Sequence, residues 1–177
     1  MQIGKKILVM GGSCSGKSTM SQALSEKFNI PVLYLDLYDP YAVNDKQERD
    51  KRKQQIQDMI GKTIQSKSWV IDGIYEWYNF TERMDMADTI ILLKQPALPR
   101  IWRYIKTCAT KTKRHGRSGF SAKNFRFDHI WYMLRRADAP YKQIQDEIKK
   151  HKNLQVIVLK SYREANEFLK NVQIKVK

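Results

Sequence analysis

The sequence has little of what marks a secreted or membrane-embedded protein. Its two cysteines, Cys14 and Cys108, form no C-x-x-C pair, so neither a disulfide framework nor a structural zinc site is indicated. No apolar run approaches the length that spans a bilayer, and the apolar run near the amino terminus is too short for the core of a secretory signal. We therefore expect a cytoplasmic protein that does not span or enter a membrane.

Glycine, proline and acidic residues are also scarce. The 177 residues include only 8 Gly and 5 Pro, and no linker-like or repeated segment is visible, so we expect one domain over residues 1–177. The 33 Lys and Arg against 18 Asp and Glu give a formal net charge of +15. This excess predicts attraction to polyanions such as nucleotides, nucleic acid or anionic surfaces, without choosing among them. It leaves the oligomeric state open.

One motif is highly specific. A stretch near the amino terminus fits G-x-x-x-x-G-K-[ST], the pattern of a loop whose backbone N–H groups surround phosphate oxygens. The preceding residues 5–10 read as a buried strand and the following residues 18–28 as an amphipathic helix, which is the order that such a loop requires. A chance glycine-rich turn is the alternative. The motif predicts that ATP is bound by Gly11, Gly12, Ser13, Cys14, Ser15, Gly16, Lys17, Ser18 and Thr19, with Mg²⁺ on the Ser18 hydroxyl.

Two carboxylates follow predicted buried strands. Asp36 ends the strand at residues 32–35, and Asp72 ends the apolar part of the segment at residues 68–75. Ligands of open α/β sheets bind outside the carboxyl ends of the strands. Asp36 is therefore a candidate to orient or deprotonate the phosphoryl acceptor, and Asp72 a candidate to hold the Mg²⁺ shell. The alternative for both is a structural role as the cap of a turn.

The positive charge is concentrated in one segment. Between Lys94 and Arg136 there are 12 basic residues and a single acidic one. Its glycine-containing centre predicts a lid insertion at about residues 112–122, which would close over the triphosphate and stabilise the charge of the transferred group. The alternative is a surface that binds nucleic acid. The arginines predicted to act in catalysis, together with Lys17, are Arg103, Arg114, Arg117, Arg126 and Arg136.

Five predicted strands alternate with helices, which indicates a parallel sheet covered on both faces. The remaining two strands are predicted at residues 87–93 and 154–159. Residues 125–150 read as helical with a break at Pro140. The last helix should begin at Ser161, because Glu164 three residues later completes a capping-box pattern.

These segments together resemble the adenylate-kinase-like family of DNA topology modulation (FlaR-related) proteins. The resemblance rests on GGSCSGKST, VLYLDLYD, WVIDGIY, ADTIILLKQP and VIVLKSYREANEFL, and it covers almost the full chain. It implies an α/β P-loop NTPase fold of the nucleoside-monophosphate-kinase type, a five-stranded parallel sheet, an arginine-rich lid, and ATP with Mg²⁺ as donor. The acceptor-side Thr-Gly-Asp of adenylate kinases has no clear counterpart after the second strand, so the resemblance does not identify AMP as the acceptor.

Three functions fit the sequence. The first is a kinase that transfers the γ-phosphoryl group of Mg-ATP to a nucleotide or to another small acceptor, which is not identified. The second is an ATP-regulated protein that binds DNA and modulates its topology, and the third is a plain NTPase. Dependence of ATP turnover on an added acceptor or on DNA distinguishes them.

Overall fold

The computed structural model describes residues 1–38, 43–74, 78–110, 125–135, 139–151 and 153–175. Within these ranges helices separate most of the strands, and a short 3₁₀ helix follows the third strand. In chain order the elements are β1 (Gln2–Ile3), β2 (Lys6–Gly11), α1 (Lys17–Phe28), β3 (Val32–Tyr34), the 3₁₀ helix (Leu35–Tyr38), α2 (Lys46–Ile64), β4 (Trp69–Asp72), α3 (Phe80–Met86), β5 (Thr89–Leu93), α4 (Ala97–Thr110), α5 (Phe127–Arg135), α6 (Ala139–Ile148), β6 (Gln155–Leu159), α7 (Tyr162–Asn171) and β7 (Gln173–Ile174).

The core of the molecule is a five-stranded parallel sheet in the order β3-β4-β2-β5-β6. The strand that leads into the phosphate-binding motif, β2, is therefore central. Each of the five strands predicted from the sequence is present, and the α/β class with a parallel sheet is confirmed. The carboxyl ends of all five strands meet at one edge, where the sequence placed Asp36 and Asp72.

Helices cover both faces of this sheet. Ile7 and Val9 of β2 are buried against α1 and α7, whereas Leu8 and Met10 pack on the opposite face with residues of α2, α3 and α6. Burial on both faces is the reason that the central strands are continuously apolar rather than alternating. The capping-box prediction at α7 holds for its first half, because Ser161 Oγ accepts a hydrogen bond from Glu164 N at 3.1 Å.

Two local features were not predicted from the sequence, whereas the break in the helical stretch 125–150 was. The helix α3 is too short for its periodicity to stand out, and the two-residue strands β1 and β7 pair with each other in parallel, which no local pattern reveals. The predicted helical stretch 125–150 is divided into α5 and α6, and the second helix begins at Ala139. Pro140 therefore lies in a first helical turn, where its missing N–H costs no hydrogen bond.

The helices α4 and α5 form an antiparallel pair beside the sheet. Arg100 Nη2, near the start of α4, donates to the carbonyl of Met133 near the end of α5 at 3.4 Å. Tyr104, one turn later on α4, accepts a hydrogen bond from Arg126 N just before α5 at 2.8 Å. The lid predicted at residues 112–122 lies outside the described residues. Across the ranges that are described, no helix has both the length and the apolar composition to cross a membrane.

Candidate nucleotide-binding site

The phosphate-binding motif forms the turn from β2 into α1. Gly16 is the N-cap of α1 and has a left-handed φ of 99°, which glycine adopts without steric cost. No side chain caps this helix end. The first-turn N–H groups therefore have no partner within the helix and can donate hydrogen bonds to a ligand. The positive end of the helix dipole lies at the same place, and both features favour a bound anion.

Two buried side chains support the loop from behind. A Cβ atom added to Gly12 would lie 1.9 Å from Nη1 of Arg100, so no larger residue fits at this position while Arg100 stays in place. Gly12 N donates to the Tyr141 hydroxyl at 3.2 Å, and that hydroxyl donates to the Leu93 carbonyl at 2.7 Å. The loop is thus tied to the end of β5 and packed against α4.

The helices α5 and α7 hold the other side of the loop. Ser13 Oγ lies 2.9 Å from Nε2 of His129, and the Tyr162 hydroxyl donates to the Cys14 carbonyl at 2.7 Å. Burial is the main reason that the pKa of the Tyr162 hydroxyl is raised above its ordinary value. The hydroxyl therefore remains protonated and acts as a donor at neutral pH. His129 showed no ligand-like spacing in the sequence, and only the fold brings it to the loop.

Two cationic side chains converge on the beginning of α1. Lys17 Nζ lies 3.4 Å from the Gly12 carbonyl, folded back over the loop. Arg103 Nη2 donates to Thr19 Oγ1 at 3.0 Å, and its guanidinium lies 5.1 Å from the centre of the Tyr162 ring. The structure therefore brings the predicted catalytic residue Arg103 to the phosphate-binding motif, which itself contains Lys17.

Asp72 is the last residue of β4 and only 4% exposed. It lies between Tyr34 of β3 and Val9 of β2 in the sheet register, so it stands at the strand edge from which the phosphate-binding motif starts. Burial, followed by the charge of Asp72, raises the pKa of the Tyr34 hydroxyl to about 12. A buried carboxylate here and the Ser18 hydroxyl in the first turn of α1 are both oxygen donors of the kind that Mg²⁺ prefers.

The predicted acceptor side lies at the ends of β3 and β4. Asp36 is half-buried in the 3₁₀ helix that directly follows β3. Directly after β4, the carbonyls of Gly73 and Ile74 accept hydrogen bonds from the fully buried Arg83, at 3.4 Å and 2.6 Å. Burial lowers the pKa of Arg83 to about 10. No pattern in the sequence pointed to Arg83, because it belongs to the unpredicted helix α3.

Of the other predicted arginines, Arg126 is the one among the described residues. Arg126 is 72% exposed at the side chain and forms an ion pair with Asp128, with Nε 3.0 Å from Oδ1. This pairing lowers the pKa of the Asp128 carboxyl. Arg114, Arg117 and Arg136 lie outside the described residues. Arg100 was not among the predicted site residues. It precedes Arg103 by three positions, and this helical spacing indicates that both side chains share one side of α4.

Comparison with solved structures relates this architecture to known folds. Deoxyadenosine kinase from M. mycoides aligns over 93% of this chain and 96% of its own at 15% identity and a TM-score of 0.54. Shikimate kinase from Bacteroides thetaiotaomicron aligns over 93% of each chain at 14% identity and a TM-score of 0.54. A gluconokinase from Sinorhizobium meliloti covers 96% of this chain and 94% of its own, at 15% identity and a TM-score of 0.51.

The fold is that of the P-loop kinases. At these identities the likeness concerns the fold alone, and the named substrates are those of the neighbouring proteins. Comparisons with known sequence families and with curated proteins find no match for the chain.

Proposed function

We propose that the protein is a kinase that transfers the γ-phosphoryl group of ATP to a small acceptor. The observation that carries the proposal is the convergence of Lys17 and Arg103 on the glycine-capped first turn of α1. An uncapped helix end next to two cations is built for an oligophosphate. The kinase folds of the structural neighbours agree with this assignment.

Each residue of the motif has a separate task in the proposed reaction. The loop N–H groups and the α1 terminus bind the β- and γ-phosphates, and Lys17 leaves the Gly12 carbonyl to reach them. Arg103 neutralises charge that grows on the transferred group. Arg114, Arg117, Arg126 and Arg136 are proposed to complete this electrostatic stabilisation when the segment around residues 112–122 closes and excludes water.

The residues at the strand edge fit a magnesium ion. Mg²⁺ is usually held by one or two protein oxygens together with phosphate oxygens, and the Ser18 hydroxyl and the Asp72 carboxylate are suitable protein donors. When bound, the ion would neutralise charge on the β- and γ-phosphates. The buried position of Asp72 keeps its carboxylate from being fully solvated, which strengthens its attraction for a cation.

The acceptor is proposed to bind beside Asp36. This carboxylate lies after β3, next to the β4 end that carries Asp72, and it would orient or deprotonate the attacking hydroxyl. Arg83 donates to the carbonyls of Gly73 and Ile74 directly after β4, and would so hold the backbone on that side of the proposed acceptor site.

An acceptor screen tests the proposal directly. Purified protein is incubated with Mg-ATP and with nucleosides, nucleoside monophosphates, hydroxy acids or sugars, and ADP and phosphorylated product are both measured. We expect ADP formation to rise with one acceptor class and to match the product in amount. ADP formation that no acceptor changes would indicate the plain NTPase instead.

Regulation by nucleic acid is the second candidate, favoured by the net charge of +15. In the described part of the basic segment, however, Arg100 and Arg103 contact the phosphate-binding motif rather than an open surface. The more specific resemblance to DNA topology modulation proteins stays a prediction. Stimulation of ATP turnover by DNA in the absence of any acceptor would support it.

A further inference from the structure

An unusually apolar surface lies on the helix pair α4–α5. Both helices expose large hydrophobic side chains at positions i, i+4 and i+7, so each carries a continuous row along one side. We call these six residues the apolar stripe: Leu98 (73% exposed), Trp102 (69%), Ile105 (38%), Phe127 (79%), Trp131 (55%) and Leu134 (45%). Side chains of this size at this exposure are typical of a contact surface.

The two rows lie on the same side of the helix pair. On α4 the stripe is rotated by about a quarter turn from the buried contact residues Tyr104 and Cys108, and on α5 by a similar angle and in the same sense from Met133. Because α4 and α5 are antiparallel, equal rotations away from their shared contact bring both rows to one side. The six side chains therefore form one surface.

This surface faces away from the proposed nucleotide site. Arg100, Arg103 and His129, which contact the phosphate-binding motif, project from the opposite side of the same two helices. A partner that covers the apolar stripe therefore leaves the motif accessible.

The area of the stripe matches one half of a stable protein interface. Large aromatic side chains carry about 150–250 Å² each, so the exposed fractions of the six residues add up to on the order of 700 Å². A standard interface buries about 800 Å² per partner, whereas the largest apolar patch of an ordinary monomer is about 300–600 Å².

The charge pattern indicates what kind of partner fits. The exposed charged residues of the two helices are Lys106, Asp128 and Arg135, and the exposed Arg126 directly before α5 pairs with Asp128, so these residues carry a net charge of only +2, although the whole chain carries +15. Nucleic acid or an anionic membrane would select a strongly basic surface. Two copies of a chain of +15, in contrast, can meet closely only where like charges are few.

We propose that the apolar stripe is the interface of a two-fold symmetric homodimer. In such a dimer the α4–α5 pair of one copy packs against the same pair of the other, which gives a four-helix arrangement with the two tryptophans in the buried centre. The two nucleotide sites face outward on opposite sides. The proposal does not depend on the kinase activity.

Sedimentation velocity of the full chain, from about 1 to about 100 µM, tests the dimer. We expect the wild-type protein to sediment as a dimer over the upper part of this range. Trp102→Glu and Trp131→Glu should each weaken the dimer by about tenfold or more, because buried tryptophans are typical centres of interface energy. Gln55→Glu, which adds the same charge on the exposed side of α2, is the matched control and should leave the dimer unchanged.

The dependence of the association on salt concentration distinguishes this dimer from association through a bound polyanion. Raising NaCl from about 0.1 to about 0.5 M screens the repulsion between two +15 chains, so the dimer should persist or tighten. Circular dichroism and the melting temperature show whether each variant is folded. If one of the tryptophan variants does not fold, Leu98→Glu takes its place in the experiment. A wild-type monomer at every concentration, tryptophan variants that dimerise normally, or association that disappears at high salt would each overturn the proposal.

Discussion

At the scale of single residues, the phosphate-binding motif is specified by its own sequence but held by side chains that are remote in the chain. Tyr141, His129 and Tyr162 form hydrogen bonds with it at sequence separations of 129, 116 and 148. The glycines and Lys17 were predictable, because each is demanded by the backbone or by the ligand chemistry. The supporting residues were not, since their identity follows from which helix the fold places behind the loop.

The most direct test of the donor site is Lys17→Ala. The variant removes the ammonium group that would reach the β- and γ-phosphates, and a charge-assisted contact of this kind is worth roughly 1.5–3 kcal/mol. We expect ATP affinity, measured by calorimetry, to fall by at least about tenfold while circular dichroism stays native. Lys51→Ala, on the exposed side of α2, serves as the control. Unchanged affinity in the folded Lys17 variant would contradict the proposed donor site.

Arg103 provides a test of the chemical step rather than of binding. If its guanidinium neutralises charge that develops on the transferred group, Arg103→Ala should lower kcat by on the order of 10²-fold and change the ATP affinity far less. The matched control is Arg163→Ala, whose side chain is 87% exposed and pairs with Glu167 on α7. Equal loss of kcat and ATP affinity would instead make Arg103 an ordinary binding residue. A normal kcat would remove it from the mechanism.

At the scale of secondary structure, burial decided which predictions succeeded. The five central strands were predictable because strands covered on both faces must be largely apolar, and β2 from Ile7 onward and β5 from Ile90 onward follow this rule. The helix α3 and the pair β1–β7 are too short to show a period. The apolar stripe on α4 and α5 has a clear helical period, but the sequence cannot tell an exposed row of this kind from a buried one.

The link between β3 and α1 gives a prediction on alkaline stability. The Tyr34 hydroxyl donates to Gln22 Oε1 at 2.6 Å, and its pKa in the folded protein is raised to about 12 from an ordinary 10.0. A raised pKa means that this group stabilises the fold fully below pH 10, and that the contribution is lost as the pH rises from 10 to 12. Tyr34→Phe should therefore lower the free energy of unfolding at neutral pH by about 1 kcal/mol.

Denaturant titrations at several pH values measure this effect as a difference between two proteins. The stability gap between wild-type and Tyr34→Phe should be constant up to about pH 10 and should narrow toward pH 12. Arg83, with its lowered pKa of about 10, also titrates in this range and acts in the opposite direction. Its contribution is common to both proteins and cancels in the difference. A gap that widens between pH 10 and 12 would show that the phenol is not stabilised in its neutral form.

At the scale of the whole molecule, net charge and fold are independent sources of information. The charge of +15 was evident from composition and predicted polyanion binding in general, whereas the P-loop kinase fold followed from one motif and the order of the strands. The structure shows how both coexist. Arg100 and Arg103 contact the phosphate-binding motif, and the exposed sides of α4 and α5 carry few charged residues.

The whole-molecule charge leads to a prediction that separates non-specific attraction from function. A chain of +15 should bind DNA of any sequence at low ionic strength, and heparin equally well, because the attraction is to phosphate or sulfate charge. In a plot of the logarithm of the DNA-binding constant against the logarithm of the salt concentration, each neutralised phosphate contributes about −0.9 to the slope. We therefore expect DNA affinity, measured by fluorescence anisotropy, to fall by roughly 10²- to 10³-fold between about 50 and about 200 mM salt.

For a kinase, acceptor-dependent ATP turnover at the higher salt should be the same with and without DNA. Turnover that rises with DNA there, and not with heparin, would instead identify nucleic acid as a functional partner of the nucleotide site.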